Sequence, residues 1–181
     1  MSCPITITTV QENVILVDAN DTEIGSCEKL AAHLYGGQLH RAFSVFVFDD
    51  KKRLLLQQRA RGKYHFAGLW TNTCCSHPRP GEVTLAAAQR RLTEELGFTV
   101  GLTEIGQFLY RADDPASGLT EHELDHVFVG HFTGAPTPNP TEVMDWRWQA
   151  MEQVEAELLV TPERFTPWFP LALAYIRRAS L

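Results

Sequence analysis

A thiol and an imidazole stand two residues apart, Cys75 and His77, in the short stretch Trp70–Pro78. In an extended segment alternate residues point the same way, so these two face one side and Cys74 faces the other. The chain then turns through Arg79-Pro80-Gly81-Glu82, a sequence only a turn accommodates. A helix is predicted over Thr84–Leu96: Leu85, Ala88, Leu92 and Leu96 recur at helical spacing, and Gly97 follows as a terminator. No other stretch constrains the chain so tightly, with one extended segment, one forced turn and one helix of defined face. Arg90, Arg91, Glu94 and Glu95 crowd the end of that helix, and taken alone they read as i,i+4 charge pairs on a solvated surface.

The rest of the chain alternates strands and helices. Strands are predicted over Asn13–Asp18, Glu23–Ser26, Leu39–Phe48 and Arg53–Arg59, the last two as a hairpin turning on Asp49–Lys52. A short helix is predicted over Cys27–Leu34, stopped by Gly36-Gly37. Residues Ala60–Leu69 form an irregular basic and aromatic loop carrying Arg61, Lys63, Tyr64, His65 and Phe66, of the kind that serves function more often than structure. Further strands are expected at Leu102–Tyr110, Glu121–Phe132 and Val143–Trp148, with a loop over Arg111–Thr120 and a Pro-rich turn over Ala135–Pro140. Helices are expected at Met151–Leu159 and from Pro167-Trp168 to about Arg178.

Length and charge bound what such a chain does. The 181 residues fit one domain, 1–181, with a proper core. A net charge of −6 disfavours nonspecific nucleic-acid binding, and no apolar run approaches the roughly 20 residues of a membrane span. Met1-Ser2-Cys3-Pro4 has no basic region or apolar core of a secretory signal. The four cysteines, Cys3, Cys27, Cys74 and Cys75, lack metal-knuckle or disulfide-framework spacing, so reduced thiols and a cytoplasmic location are expected; a monomer is expected as well, though no sequence feature fixes the oligomeric state.

Glu121 and Glu123 lie on one face of a strand that continues into the apolar run Val127-Phe128-Val129. Two carboxylates entering an interior need a cation. His33, His40 and His77 with Glu121 and Glu123 offer three nitrogens and two oxygens, a set suited to a six-coordinate divalent ion such as Mn²⁺ rather than to closed tetrahedral zinc.

Read back from Gly97, the helix resembles the Nudix box, G-x5-E-x7-R-E-U-x-E-E-x-G-U, with Glu82, Arg90, Leu92, Glu94, Glu95, Gly97 and Phe98 in place. Two positions depart: Ser76 replaces the first glycine, and Arg91 replaces the glutamate after Arg90. That glutamate belongs to the carboxylates that bind the metal in Nudix hydrolysis. The wider pattern is similar to the type 1 isopentenyl diphosphate isomerases, from about Val14 to Arg177. It rests on Glu28-Lys29-x-Ala31-Ala32-His33, Leu39-His40, Trp70-Thr71-Asn72, Cys75-x-His77-Pro78, Arg90-Arg91, Glu95-Leu96-Gly97, Tyr110-Arg111-Ala112, Glu121-x-Glu123, Glu142-Val143-Met144-Asp145 and Pro167-Trp168.

The resemblance implies an α/β fold, a Nudix-type mixed β-sheet sandwiched by helices in a single domain. It implies that the five ligands above are the metal set, that Cys75 and Glu123 are the acid–base pair with Tyr110 beside the glutamate, and that Glu95 with the Cys75 carbonyl holds a Mg²⁺ on the substrate diphosphate. Lys29, Arg59, Lys63 and Arg91 match diphosphate-binding cations, and Trp168 an aromatic near the reacting carbons. Tyr64-His65-Phe66 and Cys74 read as local variation. Two other readings stand beside it. A Nudix pyrophosphohydrolase of a nucleoside diphosphate derivative has no use for Cys75, and a noncatalytic diphosphate-binding module needs no Cys75, Tyr110, Glu123 and Trp168 together.

Overall fold

The computed structural model describes residues 12–179. Strands β1 (Asn13–Val17) and β2 (Glu23–Glu28) pair antiparallel, with Val14 opposite Cys27 and Asn13 opposite Glu28. That pairing overrides the predicted helix over Cys27–Leu34. Only one turn, α1 (Lys29–Ala32), is helical, and the Glu28 carboxylate caps it by accepting from the Leu30 and Ala31 backbone N–H groups. The absence of a breaker permitted a helix there, but strand pairing took Cys27 and Glu28.

Strand β3 (His40–Phe48) is the hub of the sheet. The expected hairpin into β4 (Arg53–Arg59) exists only at its root, Phe48 opposite Leu54, after which the two strands separate to different partners. On one flank of β3 lie β6 (Cys74–Ser76), antiparallel, and β1, which meets it at Leu16–His40. On the other runs β8 (Leu119–His131), parallel from His40–Glu123 to Phe48–His131. Strand β4 pairs with β5 (Trp70–Thr71) and with β9 (Val143–Ala150), while β7 (Leu102–Asp114) pairs antiparallel with β8.

Strands β7 and β8 extend through most of the predicted loop Arg111–Thr120. Pairing continues to Asp114–Leu119, leaving a turn of 115–118. The Asp114 carboxylate fastens that turn by accepting from the Ala116 N–H and the Ser117 hydroxyl, at 3.1 and 2.7 Å.

Helix α2 (Thr84–Leu96) matches its predicted span and buries Ala87, Ala88, Leu92 and Leu96. Leu85, expected in that stripe, is exposed, and Ala87 takes its place. Helices α3 (Met151–Val160) and α4 (Phe169–Arg178) follow β9, separated by a 3₁₀ turn at Pro162–Arg164; α4 begins just after Trp168.

Period-two alternation splits β3 between two cores. Phe43, Val45 and Val47 pack with Leu92 and Leu96 of α2, whereas Phe46 packs with Phe169, Leu173 and Ile176 of α4. The sheet is thus covered on one face by α2 and on the other by α4 and Val154 of α3, the sandwiched α/β arrangement expected from the sequence.

Among the described residues no helix is long and apolar enough to cross a membrane. Cys27, Cys74 and Cys75 are free thiols; Cys3 lies outside the described residues.

Candidate functional site

One ligand atom from each of His33, His40, His77, Glu121 and Glu123 lies within 4.8 Å of the other four. The five side chains named from the sequence, from four segments, therefore come together. The register explains it: β3 opens on His40 directly beside Glu123 of β8. His33 follows the single turn of α1, and the Thr120 N–H donates to its carbonyl, tying α1 to the start of β8. His77 follows β6 on the opposite flank of β3.

The imidazoles are oriented from behind. His33 Nδ1 donates to the Lys29 carbonyl at 2.6 Å and His40 Nδ1 to the Gln38 carbonyl at 2.7 Å. Each Nε2 thus carries its lone pair toward the common centre. His40 Nε2 and His77 Nε2 stand 3.1 Å apart, and His77 Nε2 is 2.7 Å from Glu123 Oε1. His33 Nε2 and Glu121 Oε2 approach within 2.9 Å but are not aligned as a hydrogen bond, leaving both atoms buried without a partner. Buried lone pairs converging on one point are what a divalent cation requires, so these residues fit the metal the sequence implied.

Burial drives His77 down to about 3 despite the pull of Glu123, which keeps it neutral and able to ligate. Burial also pushes His33 down, but the adjoining Glu121 raises it on balance. For Glu121 the imidazoles outweigh burial and hold the carboxyl well below its usual range. Glu123 is held low by His40 and His77, against burial and the charge of Glu121.

Beside the cluster opens a small cavity of about 30 Å³. Cys75, Tyr110, Glu121, Glu123 and Trp168 line it together with Lys29, Arg59 and Lys63. The Tyr110 hydroxyl donates to Glu123 Oε2. Cys75 and His77 share this wall as the alternation required, while Cys74 is buried in the α2 core on the other face. Cys75 comes from β6 and Glu123 from β8, strands on opposite flanks of β3.

Cation proximity does not lower the Cys75 thiol. Burial pushes it up to about 12, and the Arg59 guanidinium, 3.9 Å from the sulfur, does not offset this. The resting group is a thiol. The same guanidinium lies over the Trp168 ring, 5.4 Å from its centroid, so that indole face already carries a cation.

Arg91 does not line this cavity. It lines a smaller neighbouring cavity that shares Lys29, Ser76 and His77 with the first. Its Nη2 donates to Glu95 Oε1 at 2.6 Å and lies 3.2 Å from Glu142 Oε1. Glu142 also binds Lys63, and although burial would raise it, the two cations hold this carboxyl at about 2. Glu95 is 2% exposed and accepts a second bond from Gln57 Nε2 at 3.0 Å. The solvated charge pairing expected of this helix end therefore describes Arg90 and Glu94, and not Glu95.

Three residues escaped the sequence reading. Glu142 belongs to the sequence pattern but carries no role there. His65, taken as local variation, is buried with its Nε2 against Glu121 Oε1. Asp125 extends the period-two row of Glu121 and Glu123 by one step, accepts from the Ser44 hydroxyl at 2.8 Å, and is pushed by burial and by Glu123 well above the usual carboxylate range. Carrying the alternation two residues further would have found it.

The NUDIX domain family matches residues 38–169. A curated relative from Serratia proteamaculans, "Isopentenyl-diphosphate Delta-isomerase", is 54% identical over 160 residues, 88% of each chain. One of the same name from Halorhodospira halophila is 50% identical over 159 residues, 87% of this chain and 91% of the relative. Among solved structures, DR0079 from Deinococcus radiodurans superposes with a TM-score of 0.73 at 18% identity, covering 92% of this chain and 98% of that one. The MutT protein from Methanosarcina mazei does so with a TM-score of 0.65 at 17% identity, over 79% and 96%. These two likenesses concern the fold.

Proposed function

The chain belongs to the NUDIX family and, within it, to the isopentenyl-diphosphate Delta-isomerases; from that premise we propose that it interconverts isopentenyl and dimethylallyl diphosphate in isoprenoid biosynthesis. The observation that carries the reading is the meeting of Cys75, Tyr110, Glu123 and Trp168 in one cavity beside a His/Glu cluster. A pyrophosphohydrolase has no use for the thiol, and its metal-binding carboxylate is replaced by Arg91, which neutralises Glu95 instead.

The reaction adds a proton to the terminal methylene of an unactivated alkene, leaving a tertiary carbocation. It then removes a proton from the methylene on the other side of the cationic carbon, the one bonded to the carbon that bears the diphosphate, so that one proton enters and one leaves. Cys75 and Glu123, on opposite flanks of β3, are the pair that exchanges these protons. Tyr110 orients Glu123. Trp168 is the aromatic that stabilises the cationic carbon, by about 2 kcal/mol when desolvated, once the Arg59 guanidinium now over its ring gives way. The near-complete burial of Trp168 and Tyr110 excludes the water that would trap that cation.

His33, His40, His77, Glu121 and Glu123 would hold a divalent ion, Mn²⁺ or another, whose charge would let the two carboxylates stand together. Lys29, Arg59 and Lys63 receive the diphosphate in the main cavity, and Arg91 approaches it from the adjoining one. Glu95 and the Cys75 carbonyl would be the oxygen donors for a substrate-borne Mg²⁺, which would require Glu95 to give up its present Arg91 contact. The enzyme works in the cytoplasm as a monomer; the free thiols Cys27, Cys74 and Cys75 among the described residues support the location.

The test is incubation with isopentenyl diphosphate and divalent metal in D₂O. Deuterated dimethylallyl diphosphate is the expected product. Release of phosphate without isomerisation would favour the hydrolase, and binding without turnover a noncatalytic module.

A further inference from the structure

His65 sits outside the five converging ligands, yet it is 6% exposed and its ring centroid lies 5.2 Å from that of His33. Its Nε2 meets Glu121 Oε1, while its Nδ1 is buried without a partner. The only hydrogen-bond geometry this ring offers the carboxylate is therefore donation from Nε2. Glu121 in turn has its two oxygens divided, Oε1 toward His65 and Oε2 toward His33 and the centre of the cluster.

The loop that carries His65 is fastened at several points. Arg59 Nη2 donates to the His65 carbonyl at 3.0 Å and Arg59 Nε to the Phe66 carbonyl at 3.1 Å. The Phe66 N–H donates to Asp114 Oδ2 at 3.0 Å, and Phe66 itself adopts a left-handed backbone with φ 47°. A non-glycine residue held there is a conformation the surroundings impose. The imposed conformation turns the chain so that one ring reaches Glu121.

We propose that His65 is a positioning residue for the metal centre: by donating from Nε2 to Glu121 Oε1 it prevents that carboxylate from rotating and presents Oε2 to the ion. A carboxylate ligand free to rotate must lose that freedom on metal binding, and an outer donor removes the loss in advance. The inference rests on the metal reading above and extends it to a residue outside the ligand set.

The experiment titrates parent, His65→Ala and His65→Gln proteins with Mn²⁺, reading free Mn²⁺ by electron paramagnetic resonance. Thermal melts of the metal-free proteins run alongside, and the optical spectrum of each Co²⁺-loaded protein reports its ligand count. His65→Ala should bind Mn²⁺ about 10- to 100-fold more weakly, the usual effect of losing an outer-shell partner. His65→Gln, which keeps an N–H donor of similar reach, should recover most of that loss. The Co²⁺ spectra should keep the parent's ligand number.

Parent-like affinity in His65→Ala would overturn the proposal. So would His65→Gln binding as weakly as His65→Ala with both folds intact, or melting temperatures lowered equally in both, since packing rather than the donor would then explain the effect. A Co²⁺ spectrum lacking one nitrogen in His65→Ala would make His65 a ligand instead. A parent protein that takes up no Mn²⁺ would overturn the metal reading itself, and this inference with it.

Discussion

Cys74 and Cys75 are neighbours with opposite surroundings. Cys75 lines the cavity, whereas Cys74 is fully buried among Phe43, Ala88 and Leu92. Replacing Cys75 with serine substitutes a hydroxyl too weakly acidic to exchange protons as a thiol does, and turnover should fall at least about a hundredfold. Cys74→Ser should keep most of its turnover per folded molecule but lose about 1–3 kcal/mol of stability, because a hydroxyl enters an apolar core without a partner. Deuterium incorporation with metal content measured for each variant, together with urea titration, separates the two; an essential Cys74 would reverse the assignment. Glu142 gives a second residue-scale expectation. Lys63 and Arg91 hold its folded-state value at about 2, below the ordinary 4.5. The unfolded chain therefore takes up the proton first as pH falls. The contribution of Glu142 to stability is complete above about 4.5 and lost on descent toward 2. Parent should exceed Glu142→Gln in urea titrations at neutral pH, and the gap should narrow steadily below about pH 4.5. A constant gap would mean the ion pairs are not its source. Glu142 and His65 escaped sequence reading for one physical reason: each lies in irregular chain, where no period assigns a side chain to a face.

At the scale of elements, legibility followed from whether local signals and long-range pairing agreed. Helix α2 carried a stripe and a terminating glycine, and both its ends were predicted as found. Strand β4 was bounded by a turn and a loop and was equally plain. The segment at Cys27–Leu34 had no signal beyond the absence of breakers, and pairing with β1 took its first two residues. The Asp-Pro and Ser-Gly signals at 114–118 correctly marked a turn, but its width depended on cross-strand partners that sequence order does not reveal. Gly97 tests the best-read element. It closes α2 with φ 75°, and a Cβ placed there would lie 2.8 Å from the Thr137 carbonyl oxygen, backbone that is itself tied to Leu96. Gly97→Ala should therefore destabilise the fold by about 1–2 kcal/mol from the left-handed conformation alone, with crowding adding to it. An unchanged midpoint in thermal or urea unfolding would show that α2 ends without needing this residue.

Across the whole molecule the sheet places a row of carboxylates, Glu121, Glu123 and Asp125, along one face of β8, where the same face then continues into Val127 of the α4 core. All three side chains are buried, and two of them are held in the charged range by imidazoles. The apolar half of the sheet fixes where β3 and β8 lie, so the ligand half cannot spread to relieve repulsion. A bound divalent ion does relieve it, and because the unfolded chain has no preformed site, binding adds to folding stability. At an ion concentration one hundred times the dissociation constant this linkage amounts to about 2.7 kcal/mol. Dialysis against a chelator should accordingly lower the melting temperature, and Mn²⁺ should restore it in a concentration-dependent way. His40→Ala tests the locus, because His40 joins β3 to β8 within the cluster and lies outside the cavity lining. Its melting temperature should respond weakly to Mn²⁺, whereas Cys74→Ser, altered on the opposite face of the sheet, should keep the full parental shift despite a lower starting point. Equal metal shifts in parent and His40→Ala would place the stabilising ion elsewhere; no shift in the parent would leave the buried carboxylates balanced by the imidazoles alone.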